Sequence, residues 1–376
     1  MKALFVGGGT GGHIYPAIAI AQAVQDKIID SQILFVGSEE GIETRIVPKE
    51  RFSLVTIKSR GMLRKLTYRS ISSPFYALAG FFQSIGILRS FKPDIVIATG
   101  GFVSFPVVVA AFILKIPVIL HEGNVTPGLT IRLCKWFASC ITISFEASRK
   151  YFRWRKVYCL GGPVRKEIIK TVQGIAKQNM GIRQDQKTLL VLGGSQGAKS
   201  INKIIIDSLG ELENMNAQII HVCGDRDYSW IREAVGDKYS FYHLIPYMFN
   251  IWDGLAASDL VISRAGATAI SEIIARGLPS ILIPFPFSAG RHQDYNARLL
   301  ENAGASIILN DNNLSKESLL KAINDILTDK DKYLKMREAS ISLSKKDASF
   351  EFVHLITNML GIDLYARKRK KTNRKK

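Results

Sequence analysis

The chain has 376 residues, enough for two domains, and a hydrophobic content of 47% that supplies a core for each. Its four cysteines (Cys134, Cys140, Cys159, Cys223) show neither metal-type spacing nor a disulfide framework, which fits a reducing cytoplasm and excludes a disulfide-stapled secreted module. The formal net charge of +19 favours an anionic partner such as a nucleotide, a nucleic acid or an acidic lipid surface, although eight of the last ten residues, Arg367 to Lys376, are Lys or Arg and read as a solvated tail.

The charged start leads directly into an apolar run, Ala3–Val6, so no signal peptide is expected. Gly7-Gly8-Gly9-Thr10-Gly11-Gly12-His13 follows, ahead of a helix-like stretch. A strand that turns through glycines into a helix points bare backbone N–H groups at the helix start, which suits a phosphate or a developing negative charge. The turn can be forced into a dinucleotide fingerprint, but the acid expected about 20 positions on is missing. The second strand, Gln32–Val36, ends in Gly37-Ser38, with Glu39 and Glu40 following as substitutes. That pattern disfavours a nicotinamide dinucleotide. His13, directly after the turn, suits a general base for a hydroxyl nucleophile, or else a structural histidine at a helix start.

Further strands are expected at Leu54–Ile57, Ile95–Thr99, Val118–His121, Cys140–Ile143 and Val157–Leu160. Phe75, Leu78, Phe81, Phe82 and Ile85 form an apolar set at helical spacing behind Arg64, Lys65 and Arg69, which reads as core or as a membrane-facing patch. The longest apolar stretch, Phe102 to Leu120, contains Pro106, Lys115 and Pro117. It parses as a helix, Pro106–Leu114, and a buried strand rather than a membrane span. Thr99-Gly100-Gly101-Phe102 and His121-Glu122-Gly123-Asn124 follow strands, where ligand loops belong. A tight turn and a buried capping pair are the plainer readings of the same residues.

Glycine and proline at Gly161-Gly162-Pro163 mark a break. Strands resume at Thr188–Leu192, Ile219–Cys223, Tyr242–Ile245, Leu260–Ser263, Ser280–Pro284 and Ser306–Leu309. A second glycine turn, Gly193-Gly194-Ser195-Gln196-Gly197-Ala198, lies 185 positions after the first. Asp225-Arg226-Asp227 reads as an ordinary acidic loop, with no metal expected. Ser263 to Glu272 is a third strand–glycine–helix junction, and its small residues let a ligand approach the helix start. Arg291 to Ala297 is a polar run with amide side chains suited to sugar hydroxyls. From Ser315 the chain reads mainly helical. Short buried strands alternating with helices imply the α/β class, with two doubly wound Rossmann-like domains, each binding ligand at the carboxyl ends of its strands. The two are expected to face each other across a cleft.

Taken in order from Ala3 to about Gly304, these motifs resemble the MurG family of glycosyltransferases. The resemblance implies the GT-B fold, with residues 1–163 as an acceptor and membrane domain onto which a helix at 342–364 packs back. Residues 164–341 would form the UDP-sugar domain and 365–376 a basic disordered tail. It implies inverting transfer of N-acetylglucosamine from UDP-N-acetylglucosamine to lipid I, giving lipid II for peptidoglycan, without metal, cofactor or nucleic acid. The enzyme would be peripheral on the cytoplasmic side of the cell membrane, drawn to an anionic inner leaflet. By motif matching, Thr10, Gly11, Gly12 and Asn124 border the sugar, and His13 is the candidate catalytic base. Arg165, Ser195, Ile245, Gln293 and the run Ala267, Thr268, Ala269, Ile270, Ser271 and Glu272 match nucleotide-sugar contacts. Ser195 matches a diphosphate contact and Glu272 the ribose acid. Gly162, Gly123, Phe105 and Ala269 depart from the family's usual residues. The alternatives are a nucleotide-sugar transferase with another acceptor, a UDP-N-acetylglucosamine epimerase of the same architecture, and a basic nucleic-acid-binding protein, which the charge alone suggests and which leaves the ordered glycine loops unexplained.

Overall fold

Thirteen strands form two wholly parallel sheets in the computed structural model, which describes residues 1–59, 68–194, 197–345 and 347–363. The first sheet contains β1 (Lys2–Gly7), β2 (Gln32–Ser38), β3 (Ser53–Ile57), β4 (Ile95–Gly100), β5 (Val118–Glu122), β6 (Cys140–Ile143) and β7 (Val157–Cys159), in the order β3-β2-β1-β4-β5-β6-β7. The second contains β8 (Lys187–Leu192), β9 (Ala217–Val222), β10 (Tyr242–Ile245), β11 (Leu260–Ser263), β12 (Ser280–Leu282) and β13 (Ser306–Ile308), in the order β10-β9-β8-β11-β12-β13. Both orders are doubly wound. The order in which strands are added reverses at β1/β4 in one sheet and at β8/β11 in the other, and ligand crevices open at such switch points.

The reason is legible in the strands. Along β1, Ala3 and Phe5 pack into one core cluster and Leu4 and Val6 into another, so both faces are covered by helices. The expected strands are therefore continuous apolar runs, and each one appears. The Phe102–Leu120 stretch divides into a helix, Ser104–Ile113, and β5. Among the described residues no helix is long and apolar enough to cross a membrane.

The chain divides into two units: residues 1–123, 127–165 and 347–376 form one, and 124–126 with 166–346 the other. The first unit is completed by the last helix, Ala348–Leu360, which packs on the first, Gly11–Lys27. Phe352, Val353 and Ile356 join Ile14, Ala17 and Ile18 in one buried cluster. Gly361 ends that helix in the left-handed region (φ 65°), a conformation that suits glycine.

Candidate active site

In the first unit the glycine turn leaves β1 at the switch point, and His13 sits in the first turn of the helix that follows. The β1–β4 ladder is irregular there: Val6 pairs with Ala98 but Gly7 with Gly100, so Thr99 is bulged. The bulge serves His13. Thr99 Oγ1 donates to the His13 carbonyl at 2.7 Å, and the Thr99 carbonyl lies 3.0 Å from His13 Nδ1. A carbonyl only accepts, so Nδ1 carries the proton and Nε2 is the basic nitrogen. Gly100 (φ 111°) is required beside it, because a Cβ there would stand 2.7 Å from Nδ1. Thr10 and Gly12 are exposed and Gly11 half-buried, so this edge is open to a ligand.

His121 and Glu122, at the end of β5, are buried. Thr142 donates its hydroxyl to the Leu120 carbonyl at 3.0 Å, so it accepts from His121 Nδ1 at 3.2 Å. Burial, and secondarily the nearby His13, push the His121 pKa down to about 3. Glu122 accepts the Gly128 N–H at 2.9 Å and so closes the loop after β5. Arg165 also lies in the first unit, 2% exposed, with its guanidinium 4.3 Å over the Tyr15 ring and 3.4 Å from Glu50. Glu39 and Glu40, which follow β2, are exposed. The acid that meets the glycine turn is Glu43, which sequence reasoning missed: it accepts the Gly9 N–H at 2.9 Å.

In the second unit the turn after β8 leads into the helix Lys199–Asp207. Ser195 lies outside the described residues. Asn202, buried in that helix, donates to the Cys223 carbonyl at 2.9 Å and to Asp227 Oδ2 at 2.8 Å. Its own oxygen lies 3.0 Å from His221 Nε2, and His221 Nδ1 lies 2.7 Å from the Tyr242 hydroxyl. Burial lowers the His221 pKa to about 3 and raises that of Tyr242. The histidine is therefore neutral: Nε2 donates to Asn202 and Nδ1 accepts from the tyrosine. Asp227 is committed to this network, and among the described residues no group of three His, Cys, Asp or Glu side chains is placed to hold a metal.

The neutrality of His121 and His221 has a measurable consequence. The unfolded chain takes up protons at both below about pH 6.5, while the folded chain refuses them down to about pH 3. Stability is therefore present above pH 6.5 and is lost as pH falls through that window. The expected slope is about 1.4 kcal/mol per pH unit for each histidine. Urea unfolding at stepped pH measures it. His221→Gln should flatten the acid limb, and an unchanged slope would remove His221 from this account.

Arg264, just after β11, ties together the segments around Ser200, Ile283 and Asp311. It donates to the Ile283 carbonyl at 3.0 Å, to Asp311 at 2.6 Å and to the Ser200 hydroxyl at 2.9 Å. Asp311 is a second residue missed in sequence. The helix Ala267–Arg276 begins at Gly266, directly after β11 at the switch point, with no side-chain cap. Thr268 and Ala269 are half-buried, while Ala267, Ile270, Ser271 and Glu272 are buried. Ile245 ends β10, its carbonyl accepting the Cys223 N–H at 3.0 Å. Gln293 accepts the Phe285 N–H at 2.9 Å and so shapes the loop after β12. Asn124 belongs to this unit: Asn296 donates to its side chain at 3.0 Å and to the Ala265 carbonyl at 3.1 Å, beside the start of that helix.

The apolar set near Phe81 splits between two roles. Phe81 and Ile85 pack on the core, while Leu78 and Phe82 are exposed. The described residues exclude the side chain of Phe75 and the basic group at Arg64, Lys65 and Arg69. The helix Tyr68–Phe91 packs beside Ser104–Ile113, whose end exposes Phe112 and Ile113. These line an open groove with Trp136, Phe137, Lys115 and Arg155.

Residues 3–143 match the glycosyltransferase family 28 N-terminal domain and residues 188–352 the family 28 C-terminal domain. A protein of Halothermothrix orenii is 42% identical over 366 residues, covering 95% of this chain and 98% of its own length. One from Thermoanaerobacter sp. is 41% identical over 364 residues, covering 96% and 100%. Both are named UDP-N-acetylglucosamine--N-acetylmuramyl-(pentapeptide) pyrophosphoryl-undecaprenol N-acetylglucosamine transferase. The crystal structure of Acinetobacter baumannii MurG superimposes with a TM-score of 0.71 at 24% identity, covering 95% of this chain and 99% of that one. A putative UDP-N-acetylglucosamine 2-epimerase from Listeria monocytogenes gives the same score at 13% identity, covering 96% and 98%. Structural likeness at these identities establishes the GT-B-type fold, which transferase and epimerase share; the sequence matches separate them. The chain belongs to glycosyltransferase family 28, alongside the MurG transferases.

Proposed function

We propose that this protein transfers N-acetylglucosamine from UDP-N-acetylglucosamine to the muramic acid C4 hydroxyl of lipid I, forming lipid II for peptidoglycan. The observation that carries this reading is the 42% identity, over nearly the whole chain, to a protein named for that transfer. The geometry supports it. His13, with its proton on Nδ1, takes the acceptor hydroxyl's proton on Nε2 as that oxygen attacks the anomeric carbon. The bond from the anomeric carbon to UDP breaks, and UDP leaves with the electron pair. The amides at the start of Ala267–Arg276 and the turn after β8 offset the diphosphate charge, and Glu272 binds the ribose. Attack opposite the leaving group inverts the anomeric centre, as in single-displacement glycosidases.

No metal or cofactor enters this mechanism. Purified protein with UDP-N-acetylglucosamine and a lipid I analogue is expected to release UDP and form the disaccharide at the same rate with and without a strong chelator. Loss of activity restored by Mg²⁺ or Mn²⁺ would overturn the metal-free reading. Conversion of the donor without acceptor would mark an epimerase.

The acceptor is a lipid, so the protein works as a peripheral protein on the cytoplasmic face of the cell membrane. Leu78, Phe82, Phe112, Ile113 and Trp136 are exposed apolar groups with Lys115, Lys135 and Arg155 nearby, a composition that favours an anionic leaflet over a nucleic acid. Phe82→Glu and Trp136→Glu are expected to weaken binding to anionic vesicles while a water-soluble acceptor analogue still turns over. Removing Arg367–Lys376 should act similarly at low salt, each basic group near the surface contributing roughly 1 kcal/mol. Undiminished flotation of all three variants would sink the membrane reading of both features.

A further inference from the structure

One buried carboxylate takes no part in the chemistry above. Glu43 opens the short helix Glu43–Lys49 and has no solvent exposure. Its Oε1 accepts from the Ser38 backbone N–H at 2.7 Å and from the Ser38 hydroxyl at 2.6 Å. Its Oε2 accepts from the Gly9 N–H at 2.9 Å. A charge is tolerated inside a protein only when donors such as these replace its water. The surrounding glycines leave the room: a Cβ on Gly8 or Gly41 would run into the carboxylate, and one on Gly37 into the Glu43 side chain below it. On the other side of the turn, a Cβ on Gly101 would run into the Gly8 carbonyl. Gly8 and Gly9 are thus held between the carboxylate and the loop after β4. The helix that carries His13 gets no side-chain bond from its N-cap residue, Thr10. Its entry is instead fixed one residue earlier, where Glu43 grips Gly9.

We propose that Glu43 is a positioning residue for the transfer reaction, setting the pose of Thr10 to His13 without touching substrate. The proposal rests on the transferase reading above. The end of β2, through Ser38, is the rigid anchor. The carboxylate couples that anchor to the turn, and the turn sets where the imidazole stands relative to Thr99. A displacement of about 1 Å at a reacting group can cost about 10²-fold in rate. Glu43 is therefore expected to affect kcat rather than donor affinity.

The test compares wild type, Glu43→Gln, His13→Ala and the double variant in transfer kinetics, donor calorimetry and NMR of the imidazole nitrogens. Glutamine keeps one acceptor oxygen but sets an amide donor against a backbone or hydroxyl donor. Glu43→Gln should lower kcat by about 10- to 100-fold, leave the donor Kd within about twofold and shift the His13 ring signals. The double variant should be no slower than His13→Ala, because the two act through one group. Losses that multiply, or a folded Glu43→Gln with wild-type kcat and an unmoved His13 spectrum, would overturn the proposal. Should Glu43→Gln fail to fold, Ser38→Ala removes only the hydroxyl donor. It should lower kcat a few-fold, and an unchanged rate and spectrum would count equally against the proposal. If the wild type transfers no sugar, the transferase reading falls, while the ring spectra still judge the tie between Glu43 and His13.

Discussion

His13→Ala is expected to lower kcat for sugar transfer by about 10²- to 10⁴-fold, with the Kd for UDP-N-acetylglucosamine kept within about twofold. The size follows from the loss of a positioned proton acceptor. The Thr99 carbonyl fixes the ring tautomer, so the alternative base would be water with no fixed orientation. Donor affinity is expected to be spared because the residues proposed to hold the nucleotide, Arg165 excepted, belong to the second unit. Thr99→Val should give a smaller loss of the same kind, since its hydroxyl bond to the His13 carbonyl goes but the carbonyl contact to Nδ1 stays. A His13→Ala enzyme with near-wild-type kcat would remove the imidazole from the proton step.

Glu272→Ala is expected to act on the donor instead. Glu272 is 7% exposed on the helix Ala267–Arg276, at the switch point of the second sheet. A hydrogen bond to a charged group contributes about 1.5–3 kcal/mol, so donor affinity should fall by roughly 10- to 150-fold. At saturating donor, kcat should be largely retained, because the proposed ribose contact would be made equally in ground and transition states. Glu272→Gln should fall between wild type and alanine. Calorimetry decides the matter: an unchanged donor Kd in a folded Glu272→Ala protein takes this carboxylate out of the site.

The strands were legible because a parallel sheet buried on both faces demands continuous apolar runs, and β1, β4, β5 and β8 are such runs. Strand ends were less so: the expected Ser280–Pro284 closes at Leu282, where the chain turns off toward the loop that Gln293 holds. Glycine turns and His13 were legible as strand–helix junctions, a local pattern. Glu43 was not, because its partner Gly9 lies 34 positions away and nothing near Glu43 marks it as buried. Asp311 meets Arg264 across 47 positions, and Asn124 meets Asn296 across 172. Such pairings arise only when strands far apart in sequence become neighbours. Phe112 and Trp136 posed the opposite difficulty. Their apolarity was plain in the sequence, but whether an apolar residue faces core or solvent depends on which neighbour covers it.

The last helix bears on how the chain is made. Phe352 seats against the ring of His121 at 5.2 Å and joins the cluster around Ile14 and Ile18, yet the ribosome releases it only after the whole second unit. During synthesis the first sheet can form while the apolar stripe on its first helix waits, uncovered, for some 180 residues to emerge. The second unit, continuous in sequence apart from residues 124–126, is free of that delay. A chain stalled or clipped before residue 347 would carry a nearly complete first unit with an open hydrophobic seam, the kind of surface that holdase chaperones bind and that promotes aggregation.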